Sequence, residues 1–171
     1  SEWNFWLPRL SNTKLKPSKA DILENVSYMH RILKVRKSSP LFRLSTEKSV
    51  MDNVTFLSHE EFDKNQSKFV NSEIPGLIAM NITDKDNIDP QRKSLLVLFN
   101  SSTESVDFTN RSLKDKNMQM HNALTEPIIL NINNENISFP ADPQLKKSVY
   151  NKSLGSVTVP PRTTVVYQEL K

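Results

Sequence analysis

Leu95-Leu96-Val97-Leu98-Phe99-Asn100 decides the fold. Five successive apolar residues leave neither face of an extended segment for water, which is the pattern of a strand buried on both sides. The run, with Ser94, predicts a central strand over Ser94–Phe99. Upstream, Ile74-Pro75-Gly76 is a turn signal that releases a second apolar segment, Leu77–Ile82. Downstream, Pro160-Pro161 bounds a closing strand over Thr163–Gln168.

Shorter segments surround these three. Strands are expected at Leu41–Leu44, Val54–Leu57, Ser105–Phe108, Met118–His121, Ile128–Asn131, Ile137–Phe139 and Ser156–Val159. Val157-Thr158-Val159 and Val106-Asp107-Phe108 alternate as half-buried strands do. Ser58–Glu73 and Asp84–Lys93 are polar and are expected to be loops, the first a loop or irregular helix. Asn131–Asn136, with four asparagines, is expected to be a turn. Many short strands with polar connections predict a mainly β protein, an antiparallel β-sandwich.

One long helix precedes the strands, over 18–37. Ser18 suits the N-cap, with Asp21 completing a box-like pair. Ile22, Val26, Met29 and Leu33 recur at helical spacing, and Leu23, Ile32 and Val35 widen the stripe. A helix so apolar is expected to pack into a larger body and, without it, to expose that stripe. Pro40 stops the helix, because the residue before proline is pushed out of the α region. Residues 1–17, with Trp3, Phe5, Trp6, Leu7 and Leu10 broken by Pro8 and Pro17, are expected to be an extended arm.

Composition narrows the function. The 171 residues suit one domain, or a smaller one with a helical arm, and 36% apolar content allows only a modest core. Basic and acidic residues number 23 and 19 and are interspersed, so no nucleic-acid partner is expected. Lys34, Arg36 and Lys37 sit where a helix should end, and its dipole favours cations there. No apolar run approaches the ~18 residues of a membrane helix, so no membrane partner is expected. The absence of cysteine excludes a disulfide framework and a thiolate zinc site. Ser1 in place of Met, with no secretory pattern behind it, fits a cut or processed piece. The compartment stays open.

The blocks together resemble a known family. The order helix, Ser39-Pro40-Leu41-Phe42-Arg43-Leu44, Pro75-Gly76-Leu77-Ile78-Ala79-Met80, Leu96-Val97-Leu98-Phe99-Asn100, Pro160-Pro161-Arg162-Thr163-Thr164-Val165 resembles the C-terminal region of pullulanases and limit dextrinases, members of the α-amylase superfamily. Pro8-Arg9-Leu10 with Lys16-Pro17 is similar to the lead-in of the plant limit dextrinases. The resemblance implies that residues 1–44 are an arm and the last helix of a catalytic (β/α)8 barrel, and that 45–171 are the C-terminal β-sandwich. It implies a parent that cleaves α-1,6 branches in starch, pullulan or glycogen-type glucans by retaining hydrolysis. Partners implied are the barrel of the same polypeptide and the parent's α-glucan. None of the family's catalytic positions matches a residue here, so catalytic, cofactor-binding and metal residues are all none, and no cofactor is expected. The segment's expected role is to stabilise the barrel. Departures lie in the loops: Ser58–Glu73 stands where relatives tend to have a short turn, and Met120-His121-Asn122 where they tend to have Leu-His-Pro. The rival reading is a free-standing β-sandwich that binds carbohydrate or protein.

Other constellations carry less. Asp84, Asp86 and Asp89 lack the glycine and the final glutamate of a calcium loop. His59-Glu60-Glu61 has no second histidine at zinc spacing, and His30 and His121 are far from it in sequence. Trp3, Trp6 and Tyr150 could stack on sugars, but Trp3 and Trp6 are better explained as anchors in the arm. Asn-x-Ser/Thr triplets begin at Asn25, Asn53, Asn65, Asn81, Asn100, Asn110, Asn136 and Asn151, an excess over chance that a biased, asparagine-rich composition explains better than glycosylation.

Overall fold

A computed structural model describes residues 2–171. The apolar run forms β5 (Arg92–Asn100), the middle of a five-stranded antiparallel sheet. Its neighbours are β4 (Leu77–Thr83) and β12 (Thr163–Leu170), with β1 (Val54–Phe56) beyond β4 and β7 (Met118–Met120) beyond β12. Leu95 to Leu98 are all buried, as a central strand requires.

The two faces of β5 are covered by different things. Leu96 and Leu98 share a face with Tyr167 and Val165, their registered partners on β12. This face meets a second sheet, β10 (Val149–Asn151), β11 (Ser156–Val159) and β6 (Val106–Thr109), through Val157, Val159 and Phe108. Tyr150 and Tyr167 approach with ring centroids 6.1 Å apart across that gap. Leu95 and Val97 turn to the other side, where Gln168 also points by register. There Arg92 Nε donates to Gln168 Oε1 at 2.7 Å and its Nη1 to the Ser38 carbonyl at 3.0 Å. The end of helix α2 (Lys19–Lys37) is thereby tied over this face, and Val35 and Leu41 join the core.

Several expectations are corrected. Leu41–Leu44 is not a strand: Pro40–Arg43 is a 3₁₀ turn, with Pro40 at its start and Ser39 Oγ accepting from Leu41 N. Ser58–Glu73 is not a loop but a hairpin, β2 (His59–Asp63) with β3 (Lys68–Ser72). The arm is not extended over its first part: Glu2–Leu10 form α1, with Pro8 inside it, and Ser1 lies outside the described residues. Helix α3 (Glu47–Asn53), N-capped by Thr46, and strand β10 were not foreseen. His121 does not end β7; it caps a short helix, α4 (Asn122–Thr125). The expected asparagine turn is present between β8 (Ile128–Ile132) and β9 (Glu135–Phe139), where Asn133 and Asn134 both take positive φ. That is the chemistry of a tight hairpin turn, since asparagine tolerates the left-handed region.

Gly155 sits at φ +65°, and a Cβ there would lie 2.7 Å from both the Asn110 carbonyl oxygen and Lys114 N. Gly155→Ala is expected to destabilise the fold by about 2 kcal/mol. Urea unfolding of the variant checks this; an unchanged midpoint would show that the turn can relax.

Candidate interaction surfaces

Helix α2 is the element on which the candidate surfaces converge. Ser18 Oγ accepts from Asp21 N at 3.1 Å while Asp21 Oδ2 accepts from Ser18 N at 2.8 Å, the reciprocal cap anticipated from the sequence. Lys34, Arg36 and Lys37 fall in its last turn. Successive residues turn by about 100°. Ser27, Arg31 and Val35 therefore share one face, and they are 5% exposed or less. Ile22, Val26, Met29 and Leu33 share the opposite face, and they are between 38% and 58% exposed. The apolar stripe points away from the sandwich.

What holds the polar face inward is Arg31. Its Nη1 donates to the carbonyls of Ala123 and Glu126, and its Nη2 to those of Phe139 and Pro140, both at 2.8 Å. Among the described residues no carboxylate forms an ion pair with it. Burial draws its pKa below the ordinary arginine value, partly opposed by Asp142. This residue was not singled out from the sequence, because an arginine amid polar helical positions carries the same signal as a solvated one.

Helix α1 adds to the uncovered apolar surface. Trp3, Phe5, Trp6, Leu7 and Leu10 are all exposed. Phe5 and Trp6 meet edge to face at 5.1 Å, and the Arg9 guanidinium lies 3.6 Å from the Phe5 ring centre. The five-stranded sheet contributes Ile78 and its registered partner Phe99, exposed where α2 no longer covers the strands.

The other candidates are occupied by the fold. The single Tyr150 hydroxyl proton is shared between the carbonyls of Leu113 at 2.6 Å and Lys116 at 3.0 Å, so its polar end is committed internally. The three acids of the 84–89 loop are not brought together around a vacant centre. Asp84 accepts from Ile88 N, Asp89 N and Lys171 Nζ, and Asp86 from Asn53 Nδ2. Asp89 accepts from Ser39 Oγ, Gln91 N and Arg92 N. Burial raises the Asp84 and Asp89 pKa values, but these hydrogen bonds outweigh it and hold both below the ordinary range. His30 is exposed on α2, His59 lies on β2, and His121 is buried at the cap of α4. Among the described residues no three metal-ligating side chains gather.

The Asn-x-Ser/Thr excess has a conformational component. At Asn100, Asn110 and Asn151 the side-chain oxygen accepts from both the backbone N and the Oγ of the serine two residues on. This is a turn in which the side chain imitates backbone. Asn53, Asn81, Asn100 and Asn110 are buried, which leaves no room for a glycan on their amides.

These features define a β-sandwich module that carries its own two-faced helix. The model of the family described as alpha-1,6-glucosidases, pullulanase-type, C-terminal matches residues 1–170, and the chain belongs to that family. It is similar to Pullulanase 1, chloroplastic, of Arabidopsis thaliana, at 31% identity over 174 residues, covering 98% of this chain and 16% of the relative. Its fold is similar to that of PulA from Klebsiella oxytoca, with a TM-score of 0.63 at 19% identity over 91% of this chain and 13% of that one. It is also similar to a mutant pullulanase from Paenibacillus barengoltzii complexed with maltotetraose, with a TM-score of 0.57 at 17% identity over 87% of this chain and 17% of that one. The chain thus spans about a sixth of the length of the curated relative it matches. The family resemblance carried by the Ser-Pro-Leu-Phe, Pro-Gly-Leu and Leu-Val-Leu-Phe-Asn blocks is borne out.

Proposed function

We propose that this chain is the non-catalytic C-terminal portion of a longer α-1,6-glucan-debranching polypeptide, and that it stabilises a catalytic (β/α)8 barrel. In this reading residues 1–44 supply an arm and the barrel's last helix, and residues 45–171 the sandwich. The parent's reaction is retaining hydrolysis of α-1,6 branches, performed by carboxylates outside this chain.

The observation that supports it is the opposition of the two faces of α2. Arg31 and Val35 already fasten the helix to the sandwich, so the stripe Ile22, Val26, Met29 and Leu33 is left for a second body. A contiguous apolar surface on a folded domain marks a contact. The outward stripe supports this reading, and the effect of the longer polypeptide on it separates the reading from a free-standing module.

Leu33→Asp tests it. In the longer polypeptide the substitution is expected to cost about 2 kcal/mol, because a carboxylate would be buried against apolar barrel surface. In the isolated chain, where Leu33 faces water, the cost is expected to stay within about 0.5 kcal/mol. Equal thermal stability of both long forms would overturn the packing.

A further inference from the structure

On β4 and β5 the face turned away from the second sheet is apolar from end to end. Ile78 pairs with Phe99, Met80 with Val97 and Ile82 with Leu95. Phe56 on β1 pairs with Met80 and extends the same face. The fold covers one end of it: Ile82, Leu95 and Val97 are buried in a core that includes Val35 and Leu41. The other end is open. Phe56 is 68% exposed, Ile78 53% and Phe99 40%. An antiparallel sheet with one solvated face ordinarily carries polar residues there. Strand β5 instead keeps the pattern of burial on both faces through Phe99, past the point where the covering elements stop. A contiguous apolar surface of this kind marks a contact.

Size and position point to the source of the cover. The family model is that of a C-terminal region, and the chain matches only 16% of the curated relative, so in such a relative most of the polypeptide precedes the matched part. The stripe of α2 opens on the same side of the sheet, because Val35 on its opposite face enters the core beneath. We infer that the body preceding this chain also rests on the open end of the sheet, at Phe56, Ile78 and Phe99, and so grips the module at two separate places. The inference rests on the reading of the chain as the C-terminal portion of a longer polypeptide. The second contact does what the first cannot. A stripe along one helix lets the module pivot about the helix axis, whereas a contact on the sheet, away from that axis, fixes its orientation.

The chain has no cysteine, so the rate at which an introduced one is alkylated reports its cover directly. Ile78→Cys and Phe99→Cys are each made in the 171-residue chain and in the longer polypeptide, with Phe62→Cys on the β2–β3 hairpin, also 53% exposed, as the control. Modification by iodoacetamide is followed peptide by peptide in a mass spectrometer. In the 171-residue chain all three are expected to react at comparable rates. In the longer polypeptide Ile78→Cys and Phe99→Cys are expected to slow about tenfold or more, and Phe62→Cys to stay within about twofold. Unslowed modification of the first two, or equal slowing of all three, would overturn the contact and leave the stripe reading, judged by Leu33→Asp, standing. Slowing already present in the 171-residue chain and rising with its concentration would overturn it in favour of a second copy. Slowing that appears in the longer form only with added maltohexaose would overturn it in favour of glucan.

Discussion

Arg31→Met is expected to lower the stability of this chain by about 4 kcal/mol, the largest effect of any single change considered. Methionine keeps most of the apolar stem and removes every donor. Four main-chain carbonyls, of Ala123, Glu126, Phe139 and Pro140, then lose a charged partner at once, the bond to Ala123 buried and the other three part-buried. A bond to a charged group is worth about 1.5–3 kcal/mol, and the four share one guanidinium, so the sum is less than additive. For a chain of this size the loss corresponds to a fall in melting temperature on the order of 10 °C. Arg31→Lys should recover only part of it, because an ammonium cannot fork between α4 and the end of β9. A melting temperature for Arg31→Met within about 2 °C of the parent's would show that water replaces the guanidinium.

The second large effect is on acid stability, through His121. Its Nδ1 accepts from Ala123 N at 3.1 Å, so the neutral ring carries its proton on Nε2, which faces Ser38 Oγ at 2.8 Å. Ser38 Oγ in turn donates to the Val35 carbonyl at 2.7 Å. A second ring proton would break the bond to Ala123 N. Burial first, then the nearby charges of Arg92 and Lys34, pull the pKa from 6.5 down to about 4. The unfolded chain takes up this proton as pH falls through about 6.5, whereas the folded chain refuses it until about 4. Stability is therefore complete above 6.5, falls between 6.5 and 4, and levels off below, with a loss of about 3 kcal/mol. Urea unfolding at a series of pH values should show this slope in the parent chain and its absence in His121→Gln. An equal slope in both would assign the acid sensitivity to the carboxylates instead.

How far the fold could be read from the residues depended on how each element makes its bonds. The strand over 94–99 was legible because burial on both faces leaves only apolar residues. Helix α2 was legible from its cap and its period. Its inward face was not, because Ser27 and Arg31 are buried by hydrogen bonding, and no apolar signal marks that kind of burial. The hairpin β2–β3 was hidden for a related reason: His-Glu-Glu-Phe-Asp lacks apolar alternation, and its strands are held by pairing and by anchors such as Arg111 N to Glu60. Leu41–Leu44 was misleading in the opposite sense. Apolar residues there cover the sheet from a 3₁₀ turn, and hydropathy alone does not separate that from a strand. For the candidate surfaces, the stripe on α2 was readable from spacing, whereas the open end of the sheet at Phe56, Ile78 and Phe99 is as apolar as the covered end and reads the same.

The guanidinium cage on α2 also bears on how such modules can be recombined. Arg31 recognises carbonyl positions, and carbonyls have no sequence of their own. At Arg31 the match between helix and sandwich is thus a matter of backbone placement in the α4 and β9 segments, whereas Ser38 is held by the side chains of His121 and Arg92. Two homologues could differ at many side chains along this seam and still exchange sandwiches, provided both keep Arg31, the His121 and Arg92 anchors of Ser38, and the same loop lengths after α4 and β9. A chimera joined between α2 and the sandwich would fail through one inserted residue in either loop sooner than through many substitutions on the strands.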